Sequence, residues 1–184
     1  MSASTKSKSD IFMSIKPEHM GNIASGAKNH EYRGYLLPSR IRRIWFYTTA
    51  PVKRLEYVAR ISTGKLPGEV PEDGGLGNAD FNAGKKKSKY GYEIISLWVL
   101  KEPISLEKAI STTILKGAPQ KYCWVPTSLI RSRPLDKQHQ LFSKIAEEDS
   151  LVESKEHEAV PAKGLESYFA KEDRRGHDES TIKD

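Results

Sequence analysis

Gly26-Ala27-Lys28-Asn29-His30-Glu31-Tyr32-Arg33 is the stretch from which the rest of the chain can be read. It follows a segment with helical spacing and opens one that alternates like a strand. Glu31 and Arg33 are two apart, so on a strand they point to the same face. Lys28 stands one short turn before them. An anion or a nucleobase edge set against that face would meet a charge-assisted fork from Arg33, an acceptor from Glu31 and a point charge from Lys28. The competing reading is a solvated ion-pair cluster at a strand end, which adds little to stability.

The pattern Gly-x-Lys-x-x-Glu-x-Arg resembles the signature of the ASCH family, a branch of the PUA-like β-barrels. Other stretches add to the likeness. Upstream, Ile15-Lys16-Pro17 and Ile23-Ala24-Ser25-Gly26 resemble the family's first strand and helix. Downstream, residues 44–52 resemble its strand leading into a Pro turn, residues 92–97 and 103–106 a later strand and its exit, and residues 118–122 a near-terminal segment with a site-facing Gln. The resemblance spans roughly residues 11–130. It implies a cleft in the barrel lined by Lys28, Glu31 and Arg33.

The elements around the octet follow from spacing and punctuation. Residues 11–15 read as a strand. Pro17 at a first helical position, Met20, Ile23 and Ala24 at helical spacing and Gly26 as a stop predict a short helix. Residues 29–33 resume as strand, 36–39 form a loop, and 42–49 are a β-branched and aromatic strand. Leu55, Tyr57, Ala59 and Ile61 alternate with Arg54, Glu56, Val58 and Arg60, which predicts a strand over 52–62. Residues 64–89 are a long Gly/Pro/Lys-rich insertion, a kind of loop that compact domains keep mainly for function. A strand over 90–101 follows, then a helix over 106–115 with Leu106, Ala109, Ile110 and Ile114 on one stripe. Residues 121–125 read as the last core strand, and 127–145 as helix or turn broken at Pro134.

The net charge of +6 hides an asymmetry. Before Lys144 there are 23 Lys+Arg against 12 Asp+Glu, and from Lys144 onward 7 against 12. A basic front of about +11 is the electrostatic footprint of a nucleic-acid binder. Mean hydropathy is −0.61, and no apolar run approaches the ~20 residues that span a bilayer. The N-terminus lacks the apolar stretch of a secretory signal, which points to an intracellular protein. The single cysteine, Cys123, excludes an internal disulfide and reads as a buried strand residue.

Three further groups are candidates. Lys85, Lys86, Lys87 and Lys89, with Phe81, Tyr90 and Tyr92 nearby, suit phosphate contact plus base stacking; a solvated lysine run is the alternative. Trp45, Tyr47, Trp98 and Trp124 are mostly core candidates. Tyr47 and Gln120 are kept as cleft candidates, with Thr48, Thr49 and Lys53 as polar groups that could orient a ligand; PUA-like relatives often hold a flipped base between aromatic walls. In the tail, Leu165, Tyr168 and Phe169 are spaced like a sliding-clamp-binding box without its leading glutamine. The histidines have no metal spacing. Family amidohydrolases use the motif lysine with a threonine, and here Glu31 stands in the threonine's place. A ribonuclease role would use Glu31 with Lys28 or Arg33.

The expected chain is therefore α+β: a small PUA-like β-barrel with flanking short helices over 11–145, a disordered tail over 1–10 and a disordered acidic tail over 146–184. The expected function is a nucleic-acid-binding module, RNA ahead of DNA, that reads a nucleotide or base in the octet's cleft. Two alternatives stay open: a hydrolase acting on RNA or a modified nucleoside through Lys28 and Glu31, and an adaptor recruiting a partner through residues 163–171. A monomer without metal, cofactor or membrane partner is expected.

Overall fold

A computed structural model of the chain describes residues 5–145. The acidic tail and the tail candidates Leu165, Tyr168 and Phe169 lie outside the described residues. The strands are β1 Lys6–Ile15, β2 His30–Arg33, β3 Arg43–Thr48, β4 Arg54–Ile61, β5 Tyr90–Ser105, β6 Cys123–Pro126 and β7 His139–Ser143. The helices are α1 Pro17–Ala24, α2 Asn78–Asn82, α3 Leu106–Ser111 and α4 Thr127–Ser132.

β3 decides the architecture. Its side chains alternate between faces, yet Ile44, Trp45, Phe46 and Tyr47 are all at most 2% exposed. Both faces of the sheet are therefore covered. Ile44 and Phe46 join Ile11, Met13, Ile23 and Ile94 in one cluster, under α1. Trp45 and Tyr47 join Phe12, Leu55, Val58 and Leu100 in a second, closed by residues of α3 and α4. Truncating a Phe or Trp buried like this to Ala costs about 3–5 kcal/mol.

The sheet order is β2-β5-β4-β3-β1-β6, with β7 beside β5. β1 and β3 pair in parallel, and the other pairings are antiparallel. The α+β class is as expected, but the path ends at β2 and β6 and the sheet is not closed. β5 spans 16 residues and carries β2 along Tyr90–Glu93, so one strand ties the octet to the main sheet.

Several sequence expectations need correcting. β1 starts at Lys6, inside the stretch expected to be a tail, because Asp10 is fully buried and accepts from Arg43 at 2.9 and 3.0 Å and from Trp45 Nε1 at 2.9 Å. The alternation in β4 is broken by a bulge at Glu56: Leu55 pairs with Tyr47 and Tyr57 with Phe46. Leu55 and Val58 thus reach the second cluster while Ala59 and Ile61 stay in the first. β5 continues to Ser105, and α3 stops at Ser111, leaving Ile110 44% exposed. Residues 139–143 form a strand where helix or turn was expected. Cys123 is exposed.

The insertion is structured. Lys65 and Gly91 exchange backbone hydrogen bonds at 2.8 and 2.9 Å. Val70, Phe81 and Tyr32 form a small satellite core, and α2 sits within it.

Candidate functional site

The octet is placed by the end of α1. Gly26, at φ +80°, turns the chain where an L side chain would be strained. The Lys28 N–H then donates to Asn22 O at 2.8 Å, which ties the residue to the end of α1.

Lys28 Nζ lies 2.5 Å from Glu31 Oε2, and Arg33 Nη2 lies 3.0 Å from Glu31 Oε1. Arg33 Nη2 also donates to Ser14 O at 2.8 Å, and its Nε faces Met13 Sδ at 3.0 Å. Lys28 and Glu31 are 6% and 3% exposed. Both carboxylate oxygens of Glu31 are therefore already engaged, and Glu31 is a counter-ion between two cations. Lys28 carries three N–H donors and Arg33 five, so both line the cleft with donors beyond those that Glu31, Ser14 and Met13 engage.

This triad floors a cleft of ≈ 640 Å³. One wall comes from Ser14, Lys16, His19 and Thr49, and the other from Leu76, Gly77, Asp80, Lys86, Lys87 and Ser88 of the insertion. Lys16, Lys28, Arg33, Lys86 and Lys87 set five cations against two carboxylates, Glu31 and Asp80. Tyr32 connects floor and wall. Its ring packs on Phe81 at 4.6 Å, and the ammonium groups of Lys28 and Lys86 lie 5.8 and 5.3 Å from its centroid. Burial, reinforced by Asp73 and Glu31, raises the Tyr32 phenol far above its usual range, so it stays protonated. That proton goes to Asn78 Oδ1 at 2.6 Å.

A polar network holds the insertion wall onto β2. Asn29 Nδ2 donates to Asp73 Oδ2 at 2.8 Å, Asn78 Nδ2 reaches Asn29 Oδ1 at 3.0 Å, and Leu76 N–H donates to Ala27 O at 2.8 Å. The hydrogen bond from Asn29, with that from the Gly75 N–H, lowers the Asp73 pKa. On the outer side, His30 is fully buried, with Nδ1 2.8 Å from Asn29 Oδ1 and Nε2 3.3 Å from Lys65 Nζ. Burial, and then Lys65, lowers its pKa to about 4. A neutral His30 accepts from Lys65 at Nε2 and donates to Asn29 from Nδ1.

Of the residues singled out from the sequence, Lys28, Glu31, Arg33, Lys86, Lys87 and Thr49 line the cleft. Tyr47 does not: the two-sided sheet buries it in the second cluster. Phe81 is 1% exposed beneath Tyr32 and presents no open face for a base. Lys53 sits in the turn after β3 at φ +50°, its carbonyl capping α3 through Leu106 N–H at 2.9 Å. Lys85, Lys89 and Gln120 are exposed beside the cleft without lining it. Sequence reasoning missed Ser14, Lys16, His19, Tyr32, Asp80 and Ser88. Tyr32 was the most legible of these, as the one aromatic side chain inside the charged octet. Among the described residues, no group of three His, Cys, Asp or Glu could hold a metal ion, and no helix is long and apolar enough to cross a membrane.

No family model matches the chain, and no curated protein matches it. Among solved structures, a crystal structure of ASCH from Zymomonas mobilis superposes with a TM-score of 0.54 at 20% identity, covering 72% of this chain and 97% of that one. Two single-substitution variants of the same bacterial protein align at 22% identity with TM-scores of 0.48 and 0.47. At such identity the first likeness is one of fold. The described region has the architecture of that ASCH structure.

Proposed function

We propose that this chain is an ASCH-type RNA-binding module whose cleft holds one nucleotide of the strand. The observation that carries this reading is the charge of the cleft: five cations face two carboxylates, one of which is occupied on the floor. A half-open cleft with surplus donors, in which both oxygens of the floor carboxylate are engaged, fits phosphate oxygens or a base carbonyl edge. Lys16, Lys86 and Lys87 at the rim meet the backbone; Lys28 and Nη1 of Arg33 meet the group that enters deepest. The ASCH fold likeness and the basic front of the chain support the same reading.

The hydrolase reading has less support. A general base needs an available oxygen, and both oxygens of Glu31 accept from Lys28 and Arg33.

The test is a binding screen of the full chain against RNA, single-stranded DNA, duplex DNA and free nucleosides, with substrate integrity followed. Lys86→Ala/Lys87→Ala should flatten the log-log salt dependence for single-stranded RNA by about 1.4, at roughly 0.7 per phosphate contact. An unchanged slope removes the insertion from the interface, and loss of intact substrate revives the hydrolase.

A further inference from the structure

Outside the cleft the chain builds a second surface, in which rings and cations alternate. Tyr35, Tyr122 and Trp124 are half-buried, with centroids 6.2 Å apart at each step; the first pair is tilted by 35° and the second meets edge to face at 86°. Lys121 Nζ lies 4.4 Å from the Tyr35 centroid and 5.9 Å from that of Tyr122. The Arg40 guanidinium lies 5.0 Å from the centroid of Trp124. Both cations are exposed, and neither pairs with a carboxylate among the described residues. The inner sides of the rings pack on the first core cluster. The Tyr35 hydroxyl donates to Lys121 O at 3.1 Å, which fixes the arrangement.

This strip starts where the cleft ends. Ser14 lines the cleft, and its hydroxyl donates to Pro119 O at 2.6 Å, two residues before Lys121. Arg33 of the floor is two residues before Tyr35. Burial raises the Tyr35 phenol pKa, and the positive charge of Arg33 works against that rise.

We propose that the strip of Tyr35, Tyr122 and Trp124, with Lys121 and Arg40, carries the unpaired bases of a single-stranded RNA that continues out of the cleft. The inference rests on the RNA-binding reading above and extends it to the form of the ligand. Aromatic planes and an arginine plane stack on base faces, which a duplex hides within its own stack. Cations without carboxylate partners, set against the rings, suit a polyanion that places a phosphate next to each base. A cleft for one nucleotide followed by a strip for about two more makes a continuous path.

The test uses the full chain and three probes: a dinucleotide that fills only the cleft, a roughly ten-nucleotide single strand, and the same sequence as a blunt RNA duplex. Tyr122→Leu/Trp124→Leu removes the rings and keeps apolar bulk over the core. It should weaken single-strand binding at least about tenfold and leave dinucleotide binding unchanged. Arg40→Ala/Lys121→Ala, at exposed positions that leave the core intact, should lower the single-strand salt slope by about 1.4. Single-strand affinity and slope unchanged in both variants would overturn the strip and leave the patch to a protein contact, with the cleft reading standing. A duplex bound as tightly as the strand, with the same losses, would overturn the single-strand form. A wild-type chain that binds neither dinucleotide nor strand would overturn the RNA-binding reading itself.

Discussion

Glu31→Gln keeps the shape of the side chain on the cleft floor and removes its charge, and stability and binding should respond with opposite signs. In the wild type the carboxylate is 3% exposed and sits 2.5 Å from Lys28 Nζ and 3.0 Å from Arg33 Nη2. Removing one partner of a buried pair typically costs 3–5 kcal/mol, roughly, because the other charge stays behind without compensation. Here the cleft opens beside Lys28, whose ammonium can turn toward water, so the cost should fall to about 2–3 kcal/mol. For a domain of this size, about 2–4 °C of melting temperature per kcal/mol gives a drop of roughly 4–12 °C. Binding moves the other way, since the surplus of positive charge grows by one. A unit charge about 6 Å from a phosphate at the dielectric of water is worth about 0.7 kcal/mol, so affinity for single-stranded RNA at low salt should rise about threefold. Differential scanning fluorimetry and fluorescence anisotropy on the same preparation read both quantities. A melting temperature within about 1 °C of wild type, together with a large loss of binding, would refute the argument. It would make Glu31 an acceptor that contacts the ligand.

Two further perturbations address the anchoring of the insertion. Because the pKa of His30 is about 4 in the fold against 6.5 unfolded, its contribution to stability is complete above pH 6.5 and is lost as pH falls toward 4; the shift is worth roughly 3 kcal/mol. Burial pushes the facing Glu93 up, but hydrogen bonds from Lys144 and Lys65 bring it down to about 2 from 4.5, so its own loss begins only below pH 4.5. Urea midpoints of His30→Gln should therefore lose their pH dependence between 4.5 and 6.5, and a slope equal to that of wild type would clear His30 of any role. In Gly75→Ala the new Cβ would lie 2.4 Å from Asn29 Oδ1 and 2.7 Å from its Cγ, while Asn29 is held by Asp73, His30 and Asn78. Overpacking of about 1–3 kcal/mol should free residues 64–89, seen as faster amide exchange there with the strand core still protected. Uniform protection in the variant would mean that the network adapts.

How much was legible in the sequence depended on the range of the interactions involved. The octet, α1 and β3 could be read because each is set by neighbours within a few residues: Pro17 and Gly26 bound the helix, and β-branched and aromatic residues define the strand. The wrong face for Tyr47 came from not knowing that the sheet is covered on both sides, which is fixed by α3 and α4 much later in the chain. β7 was invisible because its burial is slight: Leu141 is 38% exposed, and the strand is held by pairing with β5 and by Ser96 Oγ against Ser143 Oγ at 2.9 Å. The network that shapes the cleft wall joins Asn29 to Asp73 across 44 positions. Asparagine and aspartate in a glycine-rich stretch indicate turns, and nothing in their spacing names the distant partner.

The same geometry explains why the cleft divides its work between two kinds of segment. The octet's charges largely neutralise one another: Glu31 engages Lys28 and Arg33, and Arg33 also holds Ser14 O on β1. Such a floor carries little net charge, and it is stiff because β2 is paired along β5. The surplus cations Lys86 and Lys87 come from a segment whose own apolar core is only Val70 and Phe81 beneath Tyr32. A wall with so little buried apolar surface relies on hydrogen bonds for its position, and those bonds converge on Asn29 and Asn78. Segments of that kind open at lower free energy than the sheet they rest on. Changes at Asn29 or Asn78 should therefore weaken binding by displacing Lys86 and Lys87 before they unfold the sheet, whereas changes to the triad should affect stability first.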